Sequence, residues 1–161
     1  MMIQLKFIVL PVLILLLNIS LLQAQGANDL SQEEALRAVL AAKKMAEQQS
    51  AKVNIAIVDA GANLKAFVRM DGSYLGSIDI AIKKAKTSRY FDIETGALGK
   101  LTQPGGMLYN IELSNGGMIS FPGGVPIKDE HGNIVGAIGI SGGTIEQDYE
   151  IAMAGAEAIL N

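Results

Sequence analysis

Two apolar runs, residues 53–58 (Val-Asn-Ile-Ala-Ile-Val) and 64–70 (Leu-Lys-Ala-Phe-Val-Arg-Met), are separated only by Asp59-Ala60-Gly61-Ala62-Asn63. Five turn-forming residues can reverse a chain, but a crossover to a parallel neighbour takes a dozen or more. The pair is therefore an antiparallel hairpin. Strand-like runs return at 118–121, 125–128 and 134–141, the last two again joined by a short turn, Asp129-Glu130-His131-Gly132-Asn133. Residues 134–140, Ile-Val-Gly-Ala-Ile-Gly-Ile, are apolar on both faces, as a central strand is. Their glycines mark close approach by whatever packs on it.

Helical patterns lie between and around these strands. Ser31 with Glu34, and Thr144 with Gln147, have the spacing of capping boxes. The first opens a helix to about Gln49 with Leu36, Val39, Leu40 and Ala46 at core spacing, and the second opens a helix through Ile145, Tyr149, Ala152, Ala156 and Ile159. Ser77 is placed to cap another, with Ile78, Ala81, Ile82 and Ala85 inward and Lys83, Lys84, Lys86 and Arg89 as a basic, solvated strip. Residues 95–115, rich in Gly, Thr and Asn, read as a short helix followed by a long loop. Helix, two strands, helix, three strands, helix is an α+β sandwich and excludes a doubly wound parallel sheet.

The opening segment stands apart. Lys6 precedes an almost wholly apolar stretch to Leu22, broken by Asn18 and Ser20, and Ala24 closes it. This is the pattern of a secretory signal peptide over residues 1–24, cleaved after Ala24, with one domain over 25–161 in the periplasm or outside the cell and no membrane contact after cleavage. Removing 24 of the 161 residues leaves 137, with all 16 acidic residues and all but one of the 13 basic ones, hence a formal charge of −4. Such a charge argues against a nucleic-acid partner. Cysteine is absent and there is one histidine, so a tetrahedral zinc site of the usual ligands cannot form within one chain.

Few residues carry obvious chemistry. Ser141-Gly142-Gly143-Thr144 places backbone N–H groups at a helix start, where an anion can be held, although capping alone explains the same residues. Arg69 can clamp a carboxylate and Asp71 can orient it or act as a base, or the two can latch the hairpin. The basic strip containing Lys86 can attract an anion or simply face water. His131 is a candidate haem ligand, set in a turn whose polarity needs no function. No G-x-S-x-G pattern marks a nucleophile.

Residues 57–72 (Ile-Val-Asp-Ala-Gly-Ala-Asn-Leu-Lys-Ala-Phe-Val-Arg-Met-Asp-Gly), then Ala85-Lys86-Thr87, Gly123-Gly124-Val125-Pro126-Ile127 and residues 135–148 (Val-Gly-Ala-Ile-Gly-Ile-Ser-Gly-Gly-Thr-Ile-Glu-Gln-Asp), resemble in that order the HbpS/GlcG-like haem-binding family, also found as the C-terminal domain of PduO-type proteins. The resemblance implies a profilin-like sandwich, a five-stranded antiparallel sheet with helices on both faces, assembled as a homo-oligomer. It implies haem, or a related flat anionic small molecule, as ligand. The positions that match the family motifs and can face such a ligand are Arg69, Asp71, Lys86, Thr87, Gly123, Gly124, Gly142, Gly143 and Asp148. It carries over no catalytic residue and no metal ligand. An enzyme acting on a small carbonyl or carboxylic acid, with Arg69 as carboxylate clamp and Asp71 or Asp148 moving a proton, and a ligand-free accessory protein are the other readings. The apolar residues Met107, Leu108, Met118 and Phe121 in the Gly-rich segment are those an oligomer contact would cover.

Overall fold

The computed structural model describes residues 29–160; the expected leader over 1–24 lies outside them. Helix α1 (Gln32–Gln48) is followed by β1 (Asn54–Asp59), β2 (Leu64–Arg69), α2 (Ser77–Phe91), α3 (Thr95–Leu101), a single 3-10 turn (Ile111–Leu113), β3 (Gly124–Lys128), β4 (Ile134–Ser141) and α4 (Ile145–Glu157). The four strands form one antiparallel sheet in the order β2-β1-β4-β3. On one face α1 and α4 pack against Val53, Ile55, Ile57, Ile127, Ile138 and Ile140; on the other, α2 covers Ala56, Val58 and Ala137.

Both capping boxes form as expected. The two hairpin turns are built alike. Asp59 Oδ1 accepts from the N–H groups of Gly61 and Asn63, and Asp129 Oδ1 from those of His131 and Asn133, at 2.8–2.9 Å. A carboxylate that occupies the turn's own N–H groups makes each reversal locally self-sufficient.

Four expectations need correction. The strand expected over 118–121 joins no ladder, so the sheet has four strands rather than five among the described residues. The segment's backbone groups are satisfied elsewhere: Ile119 N–H donates to Thr87 Oγ1 (3.2 Å), Met118 N–H to the Glu112 carbonyl (2.9 Å), and the Phe121 carbonyl accepts from Thr95 Oγ1 (2.8 Å). These bonds tie the segment to α2, α3 and the 3-10 turn rather than to a neighbouring strand. The cap of α2 is Gly76, while Ser77 is buried as the first helical residue and makes no side-chain capping bond. In α1 the inward positions are Ala35, Ala38, Val39, Ala42 and Ala46, leaving Leu36 and Leu40 exposed. Close packing of two helices decides this: a Cβ on Gly155 of α4 would lie 3.0 Å from the Ala38 carbonyl and 3.2 Å from Ala42 Cβ, so leucines have no room in that seam. The fourth correction is Lys84, which is not on the solvated strip but wholly buried.

Candidate functional site

Lys84 sits on the sheet-facing side of α2, between Ala81 and Ala85, and its stem runs inward toward the end of β4. Its Nζ donates to Asp148 Oδ2 at 2.7 Å and to the Ile140 carbonyl at 2.8 Å, and lies 4.6 Å from the centre of the Phe121 ring. Asp148, in the first turn of α4, uses Oδ1 to accept from Gly143 N–H at 2.9 Å. Burial pushes the Lys84 ammonium below the ordinary lysine value, and the Asp148 carboxylate opposes that shift. Gly123 passes over the pair with φ +115°, where a Cβ would stand 2.7 Å from Lys84 Nζ and 2.8 Å from the Ile140 carbonyl. Only glycine meets both conditions. The cluster ties α2, β4, α4 and the loop before β3 together, and it is closed to solvent.

This arrangement determines what the start of α4 can do. Gly143 N–H is taken by Asp148 and Thr144 N–H by Gln147 Oε1 (3.0 Å), while Thr144 Oγ1 accepts from Gln147 N–H (3.2 Å). The chain's own side chains thus occupy the N–H groups that would otherwise hold an anion.

Arg69 and Asp71 lie elsewhere, exposed on the rim of a groove of about 470 Å³ that Lys43, Glu47, Lys52, Val68 and Met70 also line. The sheet register explains why these places are still neighbours. Asn54 on β1 is the partner of Arg69 on β2 and of Ser141 on β4, so Arg69 and the segment entering α4 flank it at one end of the sheet, about 10 Å apart. Gly142 closes the gap from behind: a Cβ there would lie 2.5 Å from the Lys52 carbonyl. Asn54 itself is buried, with Nδ2 donating to the Tyr74 carbonyl (3.2 Å) and Oδ1 accepting from Ser73 Oγ (3.3 Å).

The other positions singled out from the sequence are distributed around these two places. Gly123, Gly143 and Asp148 surround Lys84. Gly124 N–H donates to Thr95 Oγ1 (2.9 Å), fixing the start of β3 against α3. Thr87 is buried and anchors Ile119, and Lys86 is half-buried on α2. His131 is exposed in the β3–β4 turn, 3.5 Å from Glu130, at the sheet end opposite Arg69. Of the apolar loop residues, Met118 is buried and Leu108 half-buried, while Met107 and Phe121 are exposed.

Sequence reasoning missed Lys84 as a buried group and Lys52 and Lys43 as lining residues. For Lys84 a signal existed: with Ala81, Ala85 and Ser88 it lies on one helical stripe, the one that proves buried. Lys52 carried none, since it sits in the connection between α1 and β1.

A second cavity, about 490 Å³, runs beside β3 and is lined by Ile93, Ala97, Val125, Met153 and Leu160, with Asp92, Glu94, Glu157 and Lys128 at its rim. Its charged rim is acidic on balance, whereas the Arg69 groove, with Lys43, Lys52 and Arg69 against Glu47 and Asp71, is basic on balance. Among the described residues no group of His, Asp or Glu side chains is arranged to hold a metal ion.

The model of a family described as haem degrading protein HbpS-like matches residues 30–157. The chain is 38% identical over 130 residues to an uncharacterized 15.0 kDa protein from the dhaT-dhaS intergenic region of Citrobacter freundii, covering 76% of this chain and 91% of that one. It is 37% identical over 136 residues to the corrinoid adenosyltransferase PduO of Citrobacter freundii, covering 84% of this chain but 40% of PduO. Among solved structures, the crystal structure of a PduOC–haem complex is similar with a TM-score of 0.77 and 35% identity, over 81% of this chain and 95% of that one.

Proposed function

The chain belongs to the HbpS-like family of haem-degrading proteins, and on that footing we propose that it is an exported haem-binding protein whose basic groove receives the propionate edge of the porphyrin. The observation that carries this reading is the likeness to the PduOC–haem complex over 81% of the chain. The groove supports it by its chemistry. Val68 and Met70 offer apolar surface, and Arg69 and Lys52 offer cations where two carboxylates would lie, while Lys43 is paired with Glu47. The acidic rim of the β3 cavity would repel the same groups. Met70 is the residue in the groove whose side chain is of a haem-ligating type, whereas His131 lies at the far end of the sheet.

Export is part of the proposal and rests on the composition of residues 1–24. So is assembly as a homo-oligomer, which the exposed Met107, Tyr109, Leu113 and Phe121 support. Titrating hemin into the full chain tests the binding function: a saturable shift of the Soret band at a fixed stoichiometry is the expected result. Absorbance that grows as it does for free hemin would overturn it.

A further inference from the structure

Residues 114–117, Ser-Asn-Gly-Gly, reverse the chain between the 3-10 turn and the segment leading to β3. Asn115 and Gly116 both take positive φ, 52° and 73°, and Gly117 N–H donates to the Ser114 carbonyl at 2.9 Å. Two successive left-handed residues inside one such bond make a tight turn of the kind that selects Asn-Gly. The turn leaves the Gly116 nitrogen unused: its N–H makes no hydrogen bond among the described residues. Both residues are exposed, and a Cβ at Gly116 would meet nothing. None of the other described asparagines combines these features. Asn54 is buried in β1. Asn63 and Asn133 give their carboxamides to Asp59 and Asp129 and are followed by the branched Leu64 and Ile134. Asn110 is exposed with φ 68°, but the next nitrogen belongs to the branched Ile111 and is bonded to the Leu108 carbonyl (3.0 Å).

We propose that Asn115 is a site of spontaneous deamidation, through a succinimide closed with Gly116. The Gly116 nitrogen gives its proton to solvent hydroxide and bonds to Asn115 Cγ, the Cγ–Nδ2 bond breaks, and Nδ2 leaves as ammonia. Glycine matters because no side chain crowds the attacking nitrogen. One water then opens the five-membered ring. Attack at Cγ yields aspartate, and attack at the main-chain carbonyl yields isoaspartate, whose backbone runs through Cβ and Cγ. Nothing is oxidised or reduced, and water is the only co-reactant. Asp71-Gly72 is the built-in comparison: it too is exposed, with Gly72 at φ 78°, but a carboxylate has no ammonia to release and reacts far more slowly. The place of Asn115 gives the change a consequence. Its Nδ2 donates to Ser114 Oγ (2.9 Å) and reaches Met118 Sδ (3.8 Å), and both contacts lose their donor. Isoaspartate also adds one backbone atom inside the rings closed by Gly117 N–H on the Ser114 carbonyl and by Met118 N–H on the Glu112 carbonyl. Met118 is buried there, and Thr87 holds the residue after it. The product therefore loosens residues 118–121, whose Phe121 ring lies against Lys84 Nζ.

The full chain is incubated at mildly alkaline pH, folded and in urea, and its tryptic peptide from Leu101 to Lys128 is sequenced by mass spectrometry. Labelling with an isoaspartyl methyltransferase identifies the isoaspartate. The expected result is loss of the amide at Asn115, with isoaspartate in excess over aspartate, while Asn110 in the same peptide stays intact. The folded chain should react within about tenfold of the rate in urea, because the turn is exposed and its attacking nitrogen unbonded. Asn115→Gln cannot close the five-membered ring and should abolish the reaction. Asn115 left intact in the folded chain overturns the proposal, whatever happens in urea, and aspartate without isoaspartate overturns the succinimide route. A second measurement separates charge from backbone. Asn115→Asp carries the new charge without the added atom, so the isoaspartate-containing chain, isolated by ion exchange, should melt below it. Equal melting temperatures would overturn the loosening of residues 118–121.

Discussion

Lys84 and Asp148 stand 64 residues apart in the chain and 2.7 Å apart in the interior, the ammonium wholly buried and the carboxylate nearly so. Each is further bonded to backbone, Lys84 to the Ile140 carbonyl and Asp148 to Gly143 N–H. The pair therefore joins the helix on one face of the sheet to the start of a helix on the other, at the end of the sheet's inner strand. A buried ion pair need not add net stability compared with an apolar pair, but its geometry is demanding.

The first prediction follows from that asymmetry. Lys84→Met leaves Asp148 buried without its cation and should cost ~3–5 kcal/mol in urea unfolding. The double variant Lys84→Met with Asp148→Leu should lose much less than the sum of the two single changes, because no charge remains to be desolvated. A loss below about 1 kcal/mol for Lys84→Met would contradict the buried pairing.

Arg69 is exposed on the groove rim, so its replacement should act on binding rather than folding. Arg69→Lys keeps the charge and removes the planar fork. Hemin affinity should fall about tenfold, the low end for a charge-assisted bond because the rim is open to water, with an unchanged melting temperature. Unchanged affinity with a lowered melting temperature would mark Arg69 as a hairpin latch instead.

Glu112 orders the loop between α3 and β3. Hydrogen bonds from Thr102 and then Ser120, whose Oγ donates to Oε1 at 2.7 Å, hold its carboxyl below the ordinary glutamate value. The folded state therefore binds the proton less readily than the unfolded chain. This contribution to stability is present above the unfolded value and is lost as the pH falls through the folded one. Glu112→Gln should flatten the acid limb of a stability–pH curve. An acid limb identical to that of the unaltered protein would show that Glu112 has no part in it.

Expression in a bacterium with N-terminal sequencing checks the expected leader. A mature chain beginning at Gln25 is the expected outcome, and soluble protein still carrying Met1 would refute export.

Much of the fold was legible in the chain because it is written locally. The hairpin turns depend on Asp59 and Asp129 bonding their own neighbours, and the helix starts at Ser31 and Thr144 on residues three positions away. Such short-range geometry is set by side-chain chemistry and spacing alone. The motifs at Arg69, Gly123–Gly124 and Gly142–Gly143 were legible in another way, by their resemblance to a known family. What sequence could not decide was which of two chemically permitted environments each residue enters. Lys84 has the pattern of a solvated lysine until Asp148 and the Ile140 carbonyl are brought to it from the far end of the chain. Residues 118–121 have strand composition, but Thr87, Thr95 and Glu112 bond three of their backbone groups and they join no ladder. Leu36 and Leu40 have core spacing, but they stay exposed while Ala38 and Ala42 take the places where α4 approaches closely at Gly155. In each case the outcome turned on a hydrogen bond or a steric limit supplied by a distant segment. Such partners are specified only once the sheet and its helices have packed.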